Sequence, residues 1–530
     1  MSAPPAPART AAAVAAAGAA GLALVVAHPP LGWWWAAWLV APLLVVALRT
    51  AGPDHPADPA GVGPGAGRAV VLGLVAGAVG YGVMLHWIAF AGGAVAWVLL
   101  AGIQAGWVGL WALLVAPRLG SRLLPLHGAV LWVGIEWLRT RWPLDGFAWG
   151  RLAYSQVELA WLTPTGRVLG ASGLSLVVVI VGIAALQGLL GLRLDRETPP
   201  RTALVQLVLP VLLVTLVTVG PPPTEGALDV LAVQGNDVRH WEAPVPNAPL
   251  VITRNHRDLT VAAVARDGPP DVAVWPESSI DRDPSRAAGA PLWELAGEAA
   301  RAAGTLVAGV SLDGPDPATQ RIVGAVVLGP EGERDRYVKR MPVPFGEFVP
   351  ARALLDWIPA LDRVPRDAVR GGEATTVEVA PGVTAAIAYC FETLFPAVVR
   401  SNVMAGTEPA GVVLTLTNDA SFRDSGQPEQ HLAQSRMRAV ETGRWVVHAA
   451  ISGVTAVVDP DGRVVARTEP FTLATIRRDV PLAVGTTPYL VLGDLLGGVG
   501  AAAVAGTALG SLPRRRRRRG TTGPRRRPGR

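Results

Sequence analysis

The stretch TAAIAYCFETLFP (residues 384–396) holds the only cysteine in a chain of 530 residues. An apolar run leads into Cys390, and Glu392 follows two places later. Two other segments carry reactive groups just after apolar or strand-like runs: VWPES holds Glu277 behind Pro276, and YVKRMPVPFGEFVP holds Lys339 eight residues before Glu347. A free thiol titrates near about 8.5, so it attacks at neutral pH only with a base or a cation beside it. A carboxylate supplies the base, and an ammonium stabilises both a thiolate and the oxyanion of a tetrahedral intermediate. In such a scheme Cys390 is the nucleophile and Glu277 takes its proton. Lys339 and the backbone N–H of Phe391 stabilise the oxyanion, and Glu347 keeps Lys339 charged and oriented. Taken singly, each residue has a plainer reading: Cys390 as a small core residue, and Glu277, Lys339 and Glu347 as surface charges. Open α/β sheets gather ligands at the carboxyl ends of their strands, and the set brought together there makes a nucleophilic site.

The elements that must position them lie in residues 221–486, where short β-branched runs alternate with helical stretches in an α/β pattern. Strands are predicted over 229–235, 271–277, 304–311, 321–329, 383–390, 411–418, 444–450 and 454–466, the last with an Asp-Gly turn. Helices are predicted over 249–266, 287–303, 392–402 and 428–443. Cys390 then closes one strand and Glu277 stands just past another.

The rest of the chain is of a different kind. Mean hydropathy is +0.36 and only 17% of residues are charged, which points to a membrane protein. Crossing a bilayer takes about 20 apolar residues. Candidate spans lie at about 10–27, 31–48, 69–90, 94–116, 124–138, 171–192, 202–220 and 487–511. HPPL (28–31) and AGGA (91–94) carry no Lys or Arg, whereas the loops 49–68, 117–123 and 193–201 do. By the positive-inside rule both termini are cytoplasmic and 221–486 is outside. One outer loop dissents: LRTRWPLDGFAWGRLAYSQ (138–156) carries Arg139, Arg141 and Arg151. His86 and Glu136, near span ends, are functional candidates by default. The expected order is a membrane domain (1–220, seven helices), an α/β domain (221–486), an eighth helix (487–511) and an Arg-rich cytoplasmic tail (512–530). Ten of the 47 basic residues fall in 514–530, a block that suits anionic headgroups better than nucleic acid. One Cys and eight scattered His give no metal or cofactor motif, and GVGPGAG (61–67) reads as linker.

The Glu–Lys–Cys set in WPES, YVKRMPVPFGEFVP and YCFE resembles the carbon–nitrogen hydrolase (nitrilase) superfamily. With the flanking spans, the chain resembles the apolipoprotein N-acyltransferase family over nearly all of residues 10–511. VQGN (233–236), TNDASF (417–422) and PEQHLAQSRMRAVETGR (428–444) support the likeness. The resemblance implies an αββα sandwich outside the cytoplasm of a bacterial plasma membrane. It implies Glu277 as general base, Lys339 as oxyanion stabiliser and Cys390 as nucleophile, with Glu347 and Glu392 as essential helpers. The activity implied is transfer of a fatty acyl chain from a membrane phospholipid, through a Cys390 thioester, to the N-terminal amine of diacylglyceryl-cysteine on lipoproteins. In that setting Arg139 would pair with a phospholipid phosphate, and Trp142, Trp149 and Phe147 would sit at the interface. Phe391 stands where the family usually has Tyr, Ser421 where it has Trp, and Ile451 where it tends to have Asn.

Two other classes fit less well. A membrane-tethered amidase with water as acceptor would need one anchor rather than eight. A scaffold or transporter would place charges along several spans, and these spans are almost free of them.

Overall fold

A computed structural model describes residues 6–52, 63–191, 216–240, 245–355 and 357–510, with the pairs 204–205, 208–209 and 211–212. Most of the expected span 202–220, the loop 193–201 and the whole Arg-rich tail lie outside the described residues.

The first part is helical: α1 (Ala6–Ala27), α2 (Ala37–Thr50), α3 (Ala66–Met84), α4 (Ile88–Val115), α5 (Leu124–Arg139) and α6 (Gly166–Gly191). Pro7–Ala27, Ala66–Met84, Ile88–Arg118 and Thr163–Leu189 are long and apolar enough to cross a membrane, and Trp34–Thr50 and Leu495–Gly510 are shorter apolar helices. The break expected at 91–94 lies earlier, at Leu85–Trp87. Backbone bonds from Ile88, Ala89 and Phe90 restart the helix there, and Gly93 at φ +83° only kinks it.

Apolar side chains such as Val95, Leu99 and Val499 point outward. Helices that face lipid gain little from burying such groups against one another, so they associate through close backbone approach at small residues. A Cβ on Gly73 would lie 2.6 Å from the Cα of Gly109, and one on Gly134 would lie 2.2 Å from the carbonyl carbon of Gly500.

The second part is built on β1 (Thr224–Gln234), β2 (Val272–Ile280), β3 (Leu306–Asp313), β4 (Gln320–Gly329), β5 (Gly332–Val338) and β6 (Asp367–Ala368). It continues with β7 (Thr376–Ala380), β8 (Val383–Tyr389), β9 (Val412–Thr417), β10 (Trp445–Ala450), β11 (Ala456–Val458), β12 (Val464–Arg467) and β13 (Ala474–Ala483). One sheet has the order β13-β1-β2-β3-β4-β5, with β6 beside β4, and the other β12-β11-β10-β9-β8-β7. Their inner faces share a core that includes Val230, Val274, Ile387, Leu414 and Val447. Helices α7 (Ala248–Asp267) and α8 (Ala290–Ala303) cover the first sheet, and after the single turn α9 (Arg352–Leu355), α10 (Pro396–Val403) and α11 (Gln427–Thr442) cover the second. This is the expected αββα sandwich.

Strands β6, β7 and β13 escaped the sequence reading, and β5 was read only as a strand-like stretch before Lys339. Each is short or carries charge on an exposed face, as in GERDRYV and ATIRRDVPLA, so no apolar run marks it. The helix expected at 392–402 starts at Pro396 instead. A proline holds the preceding residue extended, and Phe395 has φ −101° and ψ 97°.

The chain returns to the bundle through α12 (Pro488–Leu492) and α13 (Leu495–Gly510), broken at Gly493 with φ +68°. Where an eighth span was expected over 487–511, the structure has a 16-residue apolar helix after that break.

Gly134→Ala should separate α5 from α13 and destabilise the protein by about 1–3 kcal/mol, the usual range for overpacking. Gly18→Ala, where a Cβ meets nothing within 4 Å, should not. Thermal midpoints in detergent check this.

Candidate active site

Parallel pairing sets where the reactive groups emerge. β1, β2 and β3 run parallel, and β4 reverses. β5 reverses again, so it runs with β2 and delivers Lys339 from its carboxyl end. In the other sheet β8, β9 and β10 are parallel, and Cys390 and Asn418 directly follow β8 and β9.

Glu277 does not lie beyond β2 as expected but within it, on a bulge. Trp275 pairs with Ala308 and Ile280 with Val310, so the intervening residues loop out, with Ser278 at φ +64°. Gly309 makes room: a Cβ there would lie 2.4 Å from the carbonyl oxygen of Pro276. Cys390 likewise leaves its strand, turning at φ +50° into a short 3-10 turn, Cys390–Leu394. Such strain in non-glycine residues persists only where surrounding contacts hold it, and it clusters at functional sites.

The structure brings the expected set together. Lys339, 1% exposed, has its Nζ 2.9 Å from Glu347 Oε1 and 3.5 Å from Glu277 Oε1. Glu277 Oε2 accepts from the backbone N–H of Asn418 at 2.9 Å, and Asn418 Nδ2 donates to Asp237 Oδ2 at 3.2 Å. Glu347 Oε2 accepts from the backbone N–H of Val343 at 2.7 Å, which fixes the loop that carries it. Cys390 is half-buried, and its thiol interacts with Glu277 and the Thr417 hydroxyl.

Burial would strip the proton from Lys339, but Glu347 and Glu277 more than reverse this, and the ammonium stays charged. Burial pushes Glu277 above the usual carboxylate range, against the pull of Lys339. Burial also pushes the Cys390 thiol well up, and Glu277 adds to it. The charges explain why: two carboxylates and one ammonium already leave one net negative charge, and a thiolate would add a second in a poorly solvated place. The thiol therefore rests protonated beside a base.

Glu392 is fully buried and works at one remove from the thiol. Its Oε1 accepts from the backbone N–H groups of Arg340 (2.6 Å) and Met341 (3.0 Å). Its Oε2 accepts from the Tyr389 N–H (3.0 Å) and the Tyr337 hydroxyl (2.8 Å). Asn402 Nδ2 donates to that hydroxyl at 3.0 Å, so the tyrosine's own proton is turned to Glu392. All four partners donate, which requires an ionised carboxylate; burial raises its pKa and these donors hold it back. Glu392 thus ties the Lys339 loop to the Cys390 turn.

An aromatic wall lies over the site. Phe391 is 5.0 Å from Phe395 and 6.4 Å from Phe147, and Phe147 stacks on Trp149 at 6.0 Å. Gln430 Oε1 accepts from the indole N–H groups of Trp149 (2.6 Å) and Trp87 (3.3 Å), and its Nε2 donates to the Pro29 carbonyl (2.9 Å). Helix α11 is thereby stapled to the membrane helices. Of the residues expected to meet lipid, only Trp142 is exposed; Trp149 is enclosed. The Arg139 guanidinium is turned into the bundle, donating to Tyr81 Oη (2.7 Å) and Gln104 Oε1 (2.9 Å). Arg151 is enclosed too, 3.2 Å from Glu136. Two of the dissenting loop's arginines are thus neutralised or sequestered inside the protein. Ile451 packs in a small apolar cluster with Val238 and Ile252.

Residues 20–184 match the family model described as the apolipoprotein N-acyltransferase N-terminal domain, and residues 250–487 match carbon-nitrogen hydrolase. An apolipoprotein N-acyltransferase of Photobacterium profundum is 32% identical over 388 residues, 70% of each chain. The chain belongs to the apolipoprotein N-acyltransferase family. A second such relative, from Geobacter metallireducens, is 28% identical over 509 residues, 92% of each chain. Among solved structures, an amidase from Nesterenkonia sp. matches at 16% identity and a TM-score of 0.35, over 52% of this chain and 95% of that one. The carbon-nitrogen hydrolase match contains Glu277, Lys339 and Cys390, and the N-terminal match contains the loop bearing Phe147 and Trp149.

Sequence reading missed the polar layer beneath the nucleophile: Thr417, Asp419, His431 and His448, all buried. TND and QHLAQ were visible as motifs, but nothing in them signals that an entire helix of polar residues is enclosed.

Glu392→Gln places an amide N–H₂ against donors. It should destabilise the protein by about 1–3 kcal/mol and slow reaction at Cys390, read by thermal melts and by single-turnover acylation.

Proposed function

We propose that the chain is an acyltransferase that N-acylates lipoproteins at the outer face of a bacterial plasma membrane. The observation that carries this reading is the Glu277–Lys339–Cys390 cluster with Phe391 beside it packed against Phe147 and Trp149 of the loop between α5 and α6. A water-using amidase has no need of such a wall.

In the first half-reaction Glu277 takes the Cys390 proton as sulfur attacks the ester carbonyl of a phospholipid. The C–S bond forms, and the oxyanion is stabilised by Lys339 and the N–H of Phe391. The C–O bond then breaks, and Glu277 passes the proton to the departing lysophospholipid oxygen. In the second, the free α-amine of a diacylglyceryl-cysteine attacks the thioester. The C–N bond forms, the C–S bond breaks, and the amine proton returns through Glu277 to the thiolate. Amines attack thioesters readily, so the site must chiefly keep water out. Both substrates hold acyl chains whose removal from the bilayer costs about 0.8 kcal/mol per CH₂, so chemistry has to come to the headgroup plane. Trp142 and the exposed Trp33, Trp34 and Trp35 suit that level. Both termini would then be cytoplasmic.

Incubation with a phospholipid labelled in its acyl chain, without acceptor, should leave a hydroxylamine-sensitive adduct on Cys390 by mass spectrometry, absent from Cys390→Ala. A diacylglyceryl peptide with a free amine should discharge it. No adduct on folded protein with accessible phospholipid would exclude phospholipid as the donor.

The base must be ionised to act, and Glu277 lies above its ordinary value of 4.5. Acylation should therefore fall as pH drops through a midpoint above 4.5. A midpoint at or below that value in a pH–rate profile would remove Glu277 from the role.

A further inference from the structure

Beside the nucleophile, with the His431 ring 5.9 Å from that of Trp149, His431 of α11 and Asp419 after β9 form a sealed pair; both are at most 1% exposed. His431 Nε2 lies 3.1 Å from the carbonyl oxygen of Cys390. A carbonyl only accepts, so Nε2 carries a proton. His431 Nδ1 lies 3.2 Å from Asp419 Oδ1. That oxygen also accepts from Gln427 Nε2 at 3.1 Å and from the Thr417 hydroxyl at 3.2 Å. Burial works against the charged form of Asp419, yet His431 and Gln427 hold its pKa below the usual range. His431 is thus held at both ring nitrogens, by the Cys390 carbonyl on one side and Asp419 on the other. The neighbouring ring of His448, 5.3 Å away, has its pKa pushed down to about 3, by burial first. Its Nδ1 is 2.8 Å from the Ser435 hydroxyl.

The carbonyl that His431 holds belongs to the same peptide unit as the N–H of Phe391. We propose that the His431–Asp419 pair is a positioning device for the oxyanion site, locking and polarising the Cys390–Phe391 peptide so that its N–H faces the reacting carbonyl. A hydrogen bond accepted by the oxygen of a peptide strengthens its N–H as a donor. The same bond holds Cys390 at φ +50°, a conformation its own side chain disfavours. A rotated peptide would put a carbonyl where a donor is needed. Thr417 stands between the pair and the thiol, 3.3 Å from His431 Nδ1, and completes the layer. This inference rests on the acyl-transfer reading given above.

Two rates on the full-length enzyme in detergent separate positioning from structural support. Thioester formation from a labelled phospholipid needs the oxyanion site; alkylation of Cys390 by iodoacetamide passes through no oxyanion. His431→Leu should slow thioester formation about 10²–10³-fold, the range for losing an oxyanion donor, with alkylation changed less than about threefold. Asp419→Asn, which keeps the shape but removes the charge, should slow it about tenfold. His431→Gln, which keeps an N–H for the carbonyl, should recover part of the loss. Thioester formation within about threefold of wild type in both His431→Leu and Asp419→Asn would overturn the proposal. So would alkylation falling in parallel with acylation. Where His431→Leu does not fold, the isosteric Asp419→Asn decides alone. Wild-type enzyme that forms no thioester at all would overturn the functional reading and this inference with it.

Discussion

The site depends on keeping one ammonium ion charged where water barely reaches it. Taking an ion out of water costs several kcal/mol even after the protein relaxes, and only close partners offset that. Lys339 has two, Glu347 at 2.9 Å and Glu277 at 3.5 Å. Each carboxylate in turn has a backbone donor, from Val343 and from Asn418. These requirements call for β2, β5 and β9 to converge at one end of the sandwich. They also explain the distortions there: the bulge at Glu277 and the turn at Cys390 bring side chains off the regular ladders and toward one another. Glu392 ties the Lys339 loop to the Cys390 turn, so the cation and the nucleophile move as one body.

The membrane helices answer a different constraint. Substrates that keep their chains in lipid can meet only a site that is itself at the bilayer surface. Helices α1, α3 and α4 are apolar outward and approach one another at glycine and alanine, and α6 approaches α2 at Gly182. The loop between α5 and α6 folds back to bring Phe147 and Trp149 against Phe391 and α11. Gln430 joins Trp87, Trp149 and the turn at Pro29, so the aromatic wall is fixed from both halves of the molecule.

The cluster was legible in the sequence because its reactive side chains follow strand-like runs: Lys339 and Cys390 leave strand ends as the motifs suggested, whereas Glu277 stands on a bulge inside β2. The α/β order and most apolar helices were legible for the same reason that hydrophobic periodicity is, since burial and lipid both demand apolar side chains. Burial of polar groups was not legible. Arg139 looks like a headgroup ligand in a basic, Trp-rich loop, yet Tyr81 and Gln104, distant in sequence, draw it inside, and Glu136 does the same for Arg151. Helix α11 reads as a polar surface helix, and its enclosure between the sandwich and the bundle is a tertiary fact. The turn at Cys390 was missed in part because the β-branched run before it gives no hint of a left-handed residue, and the partner of its carbonyl, His431, is 41 residues away.

What separates an acyltransferase from a hydrolase with the same residues is the fate of the thioester when no amine is offered. The direct measurement is the stoichiometry of lysophospholipid released by wild-type enzyme from excess phospholipid, followed by rapid quench in the absence of acceptor. Acyl transfer with water excluded predicts a burst of one equivalent per enzyme and then near arrest, with turnover resuming once a diacylglyceryl peptide is added. Steady release of lysophospholipid and free fatty acid without any acceptor would contradict it.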